Sequence, residues 1–520
     1  MTEFNTPPKL PNNPGAAGLS IRMQQLFSGS ALVFFGLLLR TGLLLLFELL
    51  AARHLGPARY GLFSLAFTVI VIISSLPVLG LQNSLRRFIA FNLETRNSDH
   101  VNGLVTFGLI WPLVWGVLFA SLLLFFAVPL SNSLFGKPEL APLLKALAFI
   151  IPLWSIRRLA TVIFSGYKKP HFKVLLEDLL EPLLRVIAAL LIVVVGWGAI
   201  GLSYSTFVAY LLVGLAAYSL TLKGKREALG QSSGFRLPWR ELLVFSAPLI
   251  ISEFAELILA WLSLLLLGVL SVDYQVGLFR AASQPPMLSS AILTSFAFIY
   301  LPTATELFAR DDHVGWKRAN NAVARWTLSL AFPIGAVCLI FPEQIITIVF
   351  GQAYAGGASA MQFLAAAYLI HAACGFTGLN LIVSGHTKLQ MIGALLGLAL
   401  NVCLSLLWIP EHGAAGAAAA ILLTVIIRNC YNLLLMKYLL DIVPFDLKYL
   451  GVLCIHFVST AALMLLVVLI DLPDLLGILF LGILELPLAI FIGFRIGVFK
   501  FADVDWIMRI RNRTKESLAD

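Results

Sequence analysis

What most constrains this chain is a succession of apolar runs, each about as long as a membrane is thick. One of them, Met391–Pro410, reads MIGALLGLALNVCLSLLWIP and contains no charged residue. A helix needs about 20 apolar residues to cross the hydrocarbon core of a bilayer. Such runs recur at about 27–50, 63–90, 102–130, 141–165, 174–196, 200–222, 240–268, 276–303, 323–349, 358–383, 388–409, 414–438, 448–470 and 475–498. A soluble domain would have to bury all of these runs on every side. A transmembrane barrel would show short alternating segments instead. Charged residues make up 12% of the chain and the mean hydropathy is +0.93, whereas soluble domains carry roughly 25% charge. The pattern predicts an all-α polytopic membrane protein with about fourteen transmembrane helices. Pro77, Gly80, Pro248, Pro285 and Pro286 fall inside runs and mark expected kinks, which membrane helices tolerate when the freed backbone groups are satisfied internally.

The runs are organised by a repeat. Ser165-Gly166-Tyr167-Lys168-Lys169 precedes the apolar run 174–197, which Gly198-Ala199-Ile200-Gly201 follows. Ser384-Gly385-His386-Thr387-Lys388 precedes 391–410, with Gly413-Ala414-Ala415-Gly416 beyond it. The offsets are 219 for Ser165 to Ser384 and 215 for Gly198 to Gly413. Arg59-Tyr60-Gly61-Leu62-Phe63 is echoed by Gln275-Val276-Gly277-Leu278-Phe279 at 216. Three matches at nearly one offset predict two pseudo-symmetric six-helix bundles plus two C-terminal helices.

Loop charge sets the expected orientation. With the N-terminus in the cytoplasm, the inner segments hold twenty-five Lys and Arg residues. The outer ones hold only Arg53, Arg59, Lys137 and Lys145, so the positive-inside rule predicts a multi-pass protein of the cytoplasmic (inner or plasma) membrane with both termini on the cytoplasmic side. The same confinement to alternate loops accounts for the net charge of +9 without nucleic acid as a partner. The expected divisions are a disordered cytoplasmic tail (1–24), an N-terminal six-helix bundle (25–222), a basic cytoplasmic linker (223–239), a C-terminal six-helix bundle (240–440), two additional helices (441–500) and a basic cytoplasmic tail (501–520).

No enzyme motif is present: there is no phosphate-cradling glycine loop and no His-Glu-x-x-His. The five cysteines lack paired spacing, so neither a disulfide framework nor a metal site is expected, and no cofactor is expected. The informative residues are charges inside the runs. A charge at mid-bilayer costs at least about 2.5–3.5 kcal/mol, so it normally faces protein or a wet cavity. Arg40 lies in the first helix, with Glu48 two turns on. Arg157 and Arg158 lie in the fourth, Arg280 in the eighth and Arg428 in the twelfth. Guanidinium groups grip phosphate bidentately and stay charged. These five arginines are therefore the candidate binding residues for an anionic headgroup such as a sugar-linked pyrophosphate. Glu181 and Arg185 have the i,i+4 spacing of a structural pair. Glu253 and Glu256 share a face of the seventh helix. They are candidate ion-coupling carboxylates, since neighbouring like charges favour proton or cation binding, or else they answer nearby arginines.

Several stretches resemble the polysaccharide and oligosaccharide flippases, a branch of the superfamily that also holds multidrug and toxin extruders and the lipid II flippase. They are Leu55-Gly56-Pro57-Ala58-Arg59-Tyr60-Gly61-Leu62-Phe63, Gly80-Leu81-Gln82-Asn83-Ser84, Phe350-Gly351-Gln352-Ala353-Tyr354, Ser384 to Lys388, Leu400-Asn401 leading to Ile409-Pro410, and Gly413 to Ala418. The resemblance implies an alternating-access transporter of two bundles. Its expected work is to move a polyprenyl-diphosphate-linked oligosaccharide across the membrane for surface polysaccharide synthesis. Membrane lipids, and the glycosyltransferases or polymerase of the same pathway, are the expected partners. The alternative within the superfamily is a Na+- or H+-coupled small-molecule exporter, to which Glu253 and Glu256 would belong.

Overall fold

The structure is a computed structural model that describes residues 16–229 and 234–499. The tail 501–520, residues 1–15 of the tail 1–24, and residues 230–233 of the linker lie outside the described residues. Everything regular among the described residues is helical. In chain order the α-helices are α1 (Ala16–Ser75), α2 (Leu81–Glu94), α3 (Ser98–Pro129), α4 (Leu140–Ala148), α5 (Ile150–Gly166) and α6 (Pro170–Lys173). They continue with α7 (Glu181–Val195), α8 (Ala199–Leu229), α9 (Trp239–Leu270), α10 (Asp273–Ala309), α11 (His313–Ile340) and α12 (Pro342–Phe350). The last are α13 (Ala358–Cys374), α14 (Thr377–Val383), α15 (Thr387–Leu440), α16 (Leu447–Ile470) and α17 (Asp474–Ile496). Among the described residues, ten helical segments are long and apolar enough to cross a membrane, or eleven if the bent pair α4–α5 is one span. The chain is an all-α multi-pass membrane protein.

Two helices are too long for one crossing. The 60 residues of α1 would make a rod of about 90 Å at 1.5 Å per residue, about three times the hydrocarbon thickness. The helix breaks at Gly56 (φ 71°, ψ 168°), directly before Pro57. In α15 the break is Gly413 (φ 53°, ψ −124°). Both backbone states are open to glycine and strained for other residues. Residues 51–62, expected as a loop, are thus helical apart from one hinge, and so are residues 410–413.

Other expected single helices are interrupted. The run 63–90 ends at Ser75 and restarts at Leu81, after a short 3-10 turn at Leu76–Val78 and Gly80 at φ 73°. The run 141–165 bends by 44° between α4 and α5. The run 358–383 breaks at Gly375 (φ 66°). The run 174–196 opens as a π-helix, Val174–Leu180, before α7. Pro182 has no N–H to offer the Asp178 carbonyl four residues back, and a wider turn relieves that mismatch. The wide turn also buries Glu177, Asp178 and Glu181 together.

The two segments that echo each other in the sequence pack against one another. A Cβ added at Gly61 would overlap the Asp273 carbonyl, and one added at Gly277 would overlap the Pro57 carbonyl. Glycine at both positions lets the backbones of α1 and α10 touch. Around this contact, Tyr354 donates to the Ala52 carbonyl at 2.7 Å, and Lys137 pairs with Asp273 at 2.6 Å. The two halves, α1–α8 and α9–α15, are therefore tightly joined at the end where α1 turns at Gly56. A second junction lies on one flank, where the Ser246 hydroxyl donates to Ser84 at 2.9 Å. Of the linker, residues 234–238 lie along α3: Asn102 donates to the Gly234 carbonyl at 2.7 Å and the Arg236 amide to the Asp99 carbonyl at 3.2 Å. The helices α16 and α17 are clasped at mid-span by His456 and Glu485, fully buried and 2.7 Å apart.

Candidate functional site

Between the halves lies a cavity of about 1380 Å³. Its walls come from α1, α2, α5, the π-turn, α7, α8, α9, α10, α14 and α15. Of the predicted binding residues, Arg40, Arg157, Arg158 and Arg280 all line it, as do Glu253 and Glu256. Arg428 stands behind Glu256, to which it is paired at 2.6 Å. The arginines thus gather around one space, though they come from helices far apart in sequence.

They are not bare charges. The lining holds six basic side chains (Arg40, Arg157, Arg158, Arg185, Arg280, Lys388) and five carboxylates (Glu48, Glu177, Glu181, Glu253, Glu256). What the fold creates is layering. Glu177 is 2% exposed and accepts from Arg40 at 3.0 Å and from Arg158 at 2.6 Å, while those arginines expose 29% and 32% of their side chains. The carboxylate sits in the wall and the guanidinium groups face the space. Each guanidinium carries five N–H donors in a fixed fork, so donors remain for a ligand after one carboxylate is served.

Arg157 departs from the expected role. It is 2% exposed, 3.1 Å from Glu181 and 3.8 Å from Glu177. It bridges two buried acids and, though it lines the cavity, presents little of itself to it. Arg280 pairs with Glu48 at 2.6 Å, a contact from one half to the other, and Tyr60 donates to the second Glu48 oxygen at 2.6 Å. Glu48 therefore faces Arg280 and not Arg40, its neighbour along α1.

The expected pair of Glu181 and Arg185 is also replaced. Glu181 accepts from Tyr210 at 2.6 Å and pairs with Arg157. The Arg185 guanidinium lies over the rings of Phe47 (4.0 Å) and Phe67 (4.8 Å), and its Nε and Nη2 have no hydrogen-bond partner. Aromatic faces hold it by cation–π attraction.

Glu253 and Glu256 have separate partners. Glu253 accepts from the Gly80 amide at 2.9 Å and from Asn83 Nδ2 at 3.1 Å. It thus caps the N-terminus of α2 from the opposite half, where the orphan amides and the helix dipole favour an anion. Glu256 has Arg428 as its own partner. Each carboxylate is engaged separately.

Several lining residues carry no sequence signal. Trp154, Trp261 and Gln284 join the site only because the bundle brings their faces together, while Gln82 and Lys388 lie in family-like motifs that do not mark them as lining. Glu177 and Glu48 were visible as charges inside apolar runs, but their partners were not. Among the described residues, no group of His, Cys, Asp and Glu is arranged to hold a metal ion.

Residues 26–308 match the family described as polysaccharide biosynthesis protein. The uncharacterized membrane protein MJ1068 of Methanocaldococcus jannaschii is 27% identical over 248 residues, covering 45% of this chain and 48% of that protein. The chain thus spans about half the length of the curated relative it matches. Among solved structures, the lipid II flippase MurJ in an inward closed conformation superposes with a TM-score of 0.68 at 15% identity, covering 91% of this chain and 100% of that one. An inward-facing multidrug resistance MATE family transporter of the MOP superfamily gives 0.64 at 17% identity, with 77% and 94% covered. At such identities the likeness to these structures speaks for the fold alone.

Proposed function

The chain belongs to the polysaccharide biosynthesis protein family of the MOP superfamily, and from that premise we propose that it flips a polyprenyl-diphosphate-linked oligosaccharide across the cytoplasmic membrane. It is a membrane transporter. The observation that carries the substrate reading is the layered cavity: guanidinium groups of Arg40 and Arg158 facing a large space, with Glu177 buried behind them. In such a site the diphosphate binds the arginines while the lipid tail stays in the bilayer.

Transport runs by alternating access, in which the two halves rock about the bound headgroup. Splitting α1 at Gly56 and α15 at Gly413, and counting α4–α5 as one span and the π-turn with α7 as another, gives fourteen crossings. These form two six-helix bundles and a C-terminal pair, with both termini in the cytoplasm. In that orientation the Gly61–Gly277 contact closes the outer end, and the cavity faces inward toward Lys388. The lipid-linked glycan is supplied by membrane glycosyltransferases, and a polymerase or further transferase receives it outside.

The Na+- or H+-coupled exporter is the weaker reading, because Glu253 and Glu256 are each held by a fixed partner. The deciding experiment is reconstitution into vesicles with a lipid-linked oligosaccharide, comparing wild type with Arg40→Gln, Arg158→Gln and Arg280→Gln. Loss of flipping is expected in each; unaltered flipping in all three counts against the assignment.

A further inference from the structure

We propose that Trp154 and Trp261 are saccharide-stacking platforms that read the first sugar rings next to the diphosphate. This rests on the flippase reading and assigns a ligand class to the part of the cavity that the arginines leave unexplained.

Both indoles line the cavity and both are half-buried. Each has a guanidinium set against it. Trp154 and Arg157 stand at i and i+3 on α5, with the guanidinium carbon 5.7 Å from the ring centroid. Trp261 of α9 and Arg280 of α10 repeat the arrangement at 5.7 Å. One pair belongs to each half of the molecule. In both cases the arginine is itself anchored by a buried carboxylate, Glu181 for Arg157 and Glu48 for Arg280. A cation held over an indole fixes the ring's orientation. These are rigid flat surfaces facing an open space.

Three properties of the cavity suit a sugar in particular. Its volume of about 1380 Å³ exceeds the roughly 300–1,000 Å³ that accommodates a drug-sized ligand, so a diphosphate alone would leave most of it empty. A pyranose offers an apolar C–H face that a tryptophan can cover, and aromatic rings contribute large contact areas at low entropic cost. Four neutral amides, Gln82, Asn83, Gln284 and Gln390, line the same space. A primary amide both donates and accepts, which matches the hydroxyl rim of a sugar ring. An acyl chain has no use for amides, and a bare diphosphate has none for indoles. Because Arg40 and Arg158 front the wall that carries Trp154, the ring attached directly to the diphosphate stacks there, and Trp261 takes a more distal ring.

The test is a binding measurement on the full-length purified protein with two probes, undecaprenyl diphosphate without sugar and an undecaprenyl-diphosphate-linked disaccharide. Trp154→Ala and Trp261→Ala should each weaken disaccharide binding by about tenfold and change binding of the unsugared lipid by less than about twofold. Trp154→Phe and Trp261→Phe keep a smaller aromatic face and should fall in between. They decide the matter should the alanine variants fail to fold. Equal weakening of both probes, or no weakening of either, overturns the proposal. Arg40→Gln and Arg158→Gln should weaken both probes alike. If they weaken neither while the tryptophan variants still discriminate, the diphosphate assignment fails and the saccharide platforms stand.

Discussion

Glu48 of α1 and Arg280 of α10 form an ion pair of 2.6 Å across the junction of the two halves. Tyr60 completes the carboxylate's partners. The pair lines the cavity on one side and lies near the Gly61–Gly277 contact in sequence on both helices. It therefore joins the site to the closed end of the molecule.

Breaking this pair from one side should be costly. Removing one member of a buried ion pair leaves the other charge uncompensated, at about 3–5 kcal/mol. Glu48→Gln and Arg280→Gln should each lower the melting temperature of the purified protein clearly. The double variant should recover part of the loss. Additive losses in the thermal melts would show that the pair does not act as a unit.

The glycine contact gives a conformational prediction. A Cβ at Gly61 or Gly277 overlaps the facing backbone, so Gly61→Leu and Gly277→Leu should each force α1 and α10 apart and lower flipping in vesicles. Cysteines at Lys137 and Asp273, whose side chains meet beside this contact, in a background with the native cysteines replaced by serine, should be joined by a short reducible bifunctional thiol reagent. The cross-linked protein should be inactive in a vesicle flipping assay, and reduction should restore it. Full flipping by the cross-linked protein would mean that this contact does not open during transport.

Glu177 separates orientation from net charge. On charge alone, Glu177→Gln makes the cavity more positive and should strengthen binding of an anionic headgroup. On the geometry, it removes the anchor that holds Arg40 and Arg158. The variant should bind undecaprenyl diphosphate more weakly than wild type, by about tenfold, in a titration at fixed ionic strength. Tighter binding would show that the arginines do not depend on that anchor.

For Glu253 the expectation is a helix cap. Glu253→Ala removes the acceptor of the Gly80 amide and should cost about 1 kcal/mol of stability, the usual loss for a cap. Glu253→Gln keeps a carbonyl oxygen and should lose less. Transport by either variant should respond to imposed Na+ or proton gradients just as wild type does. A selective loss of gradient dependence in Glu253→Gln would restore the ion-coupled reading.

The sequence marks Arg40, Arg158 and Arg280 through a simple physical signal: a charge within a long apolar run needs a polar surrounding. The same signal marks Glu48, Glu177 and Arg185, but it cannot pair them, because spacing along a helix reveals only neighbours on that helix. Glu181 and Arg185 have ideal i,i+4 spacing, yet each meets its neighbours on other helices instead. Tryptophans 154 and 261 carry no mark at all, since an aromatic residue is as much at home against lipid as in a cavity.

What the sequence by itself determined is the membrane-spanning helical class, the offset of about 216 residues between its echoing segments, and the set of charges that must be sheltered from lipid. These follow from hydropathy and from the cost of burying charge, both of which act locally along the chain. Only the tertiary structure decided that Gly61 meets Gly277, that Glu177 stands behind Arg40 and Arg158, and that Glu253 caps a helix in the opposite half. Those outcomes depend on which helix faces touch, and the faces are selected by close packing of side chains hundreds of residues apart.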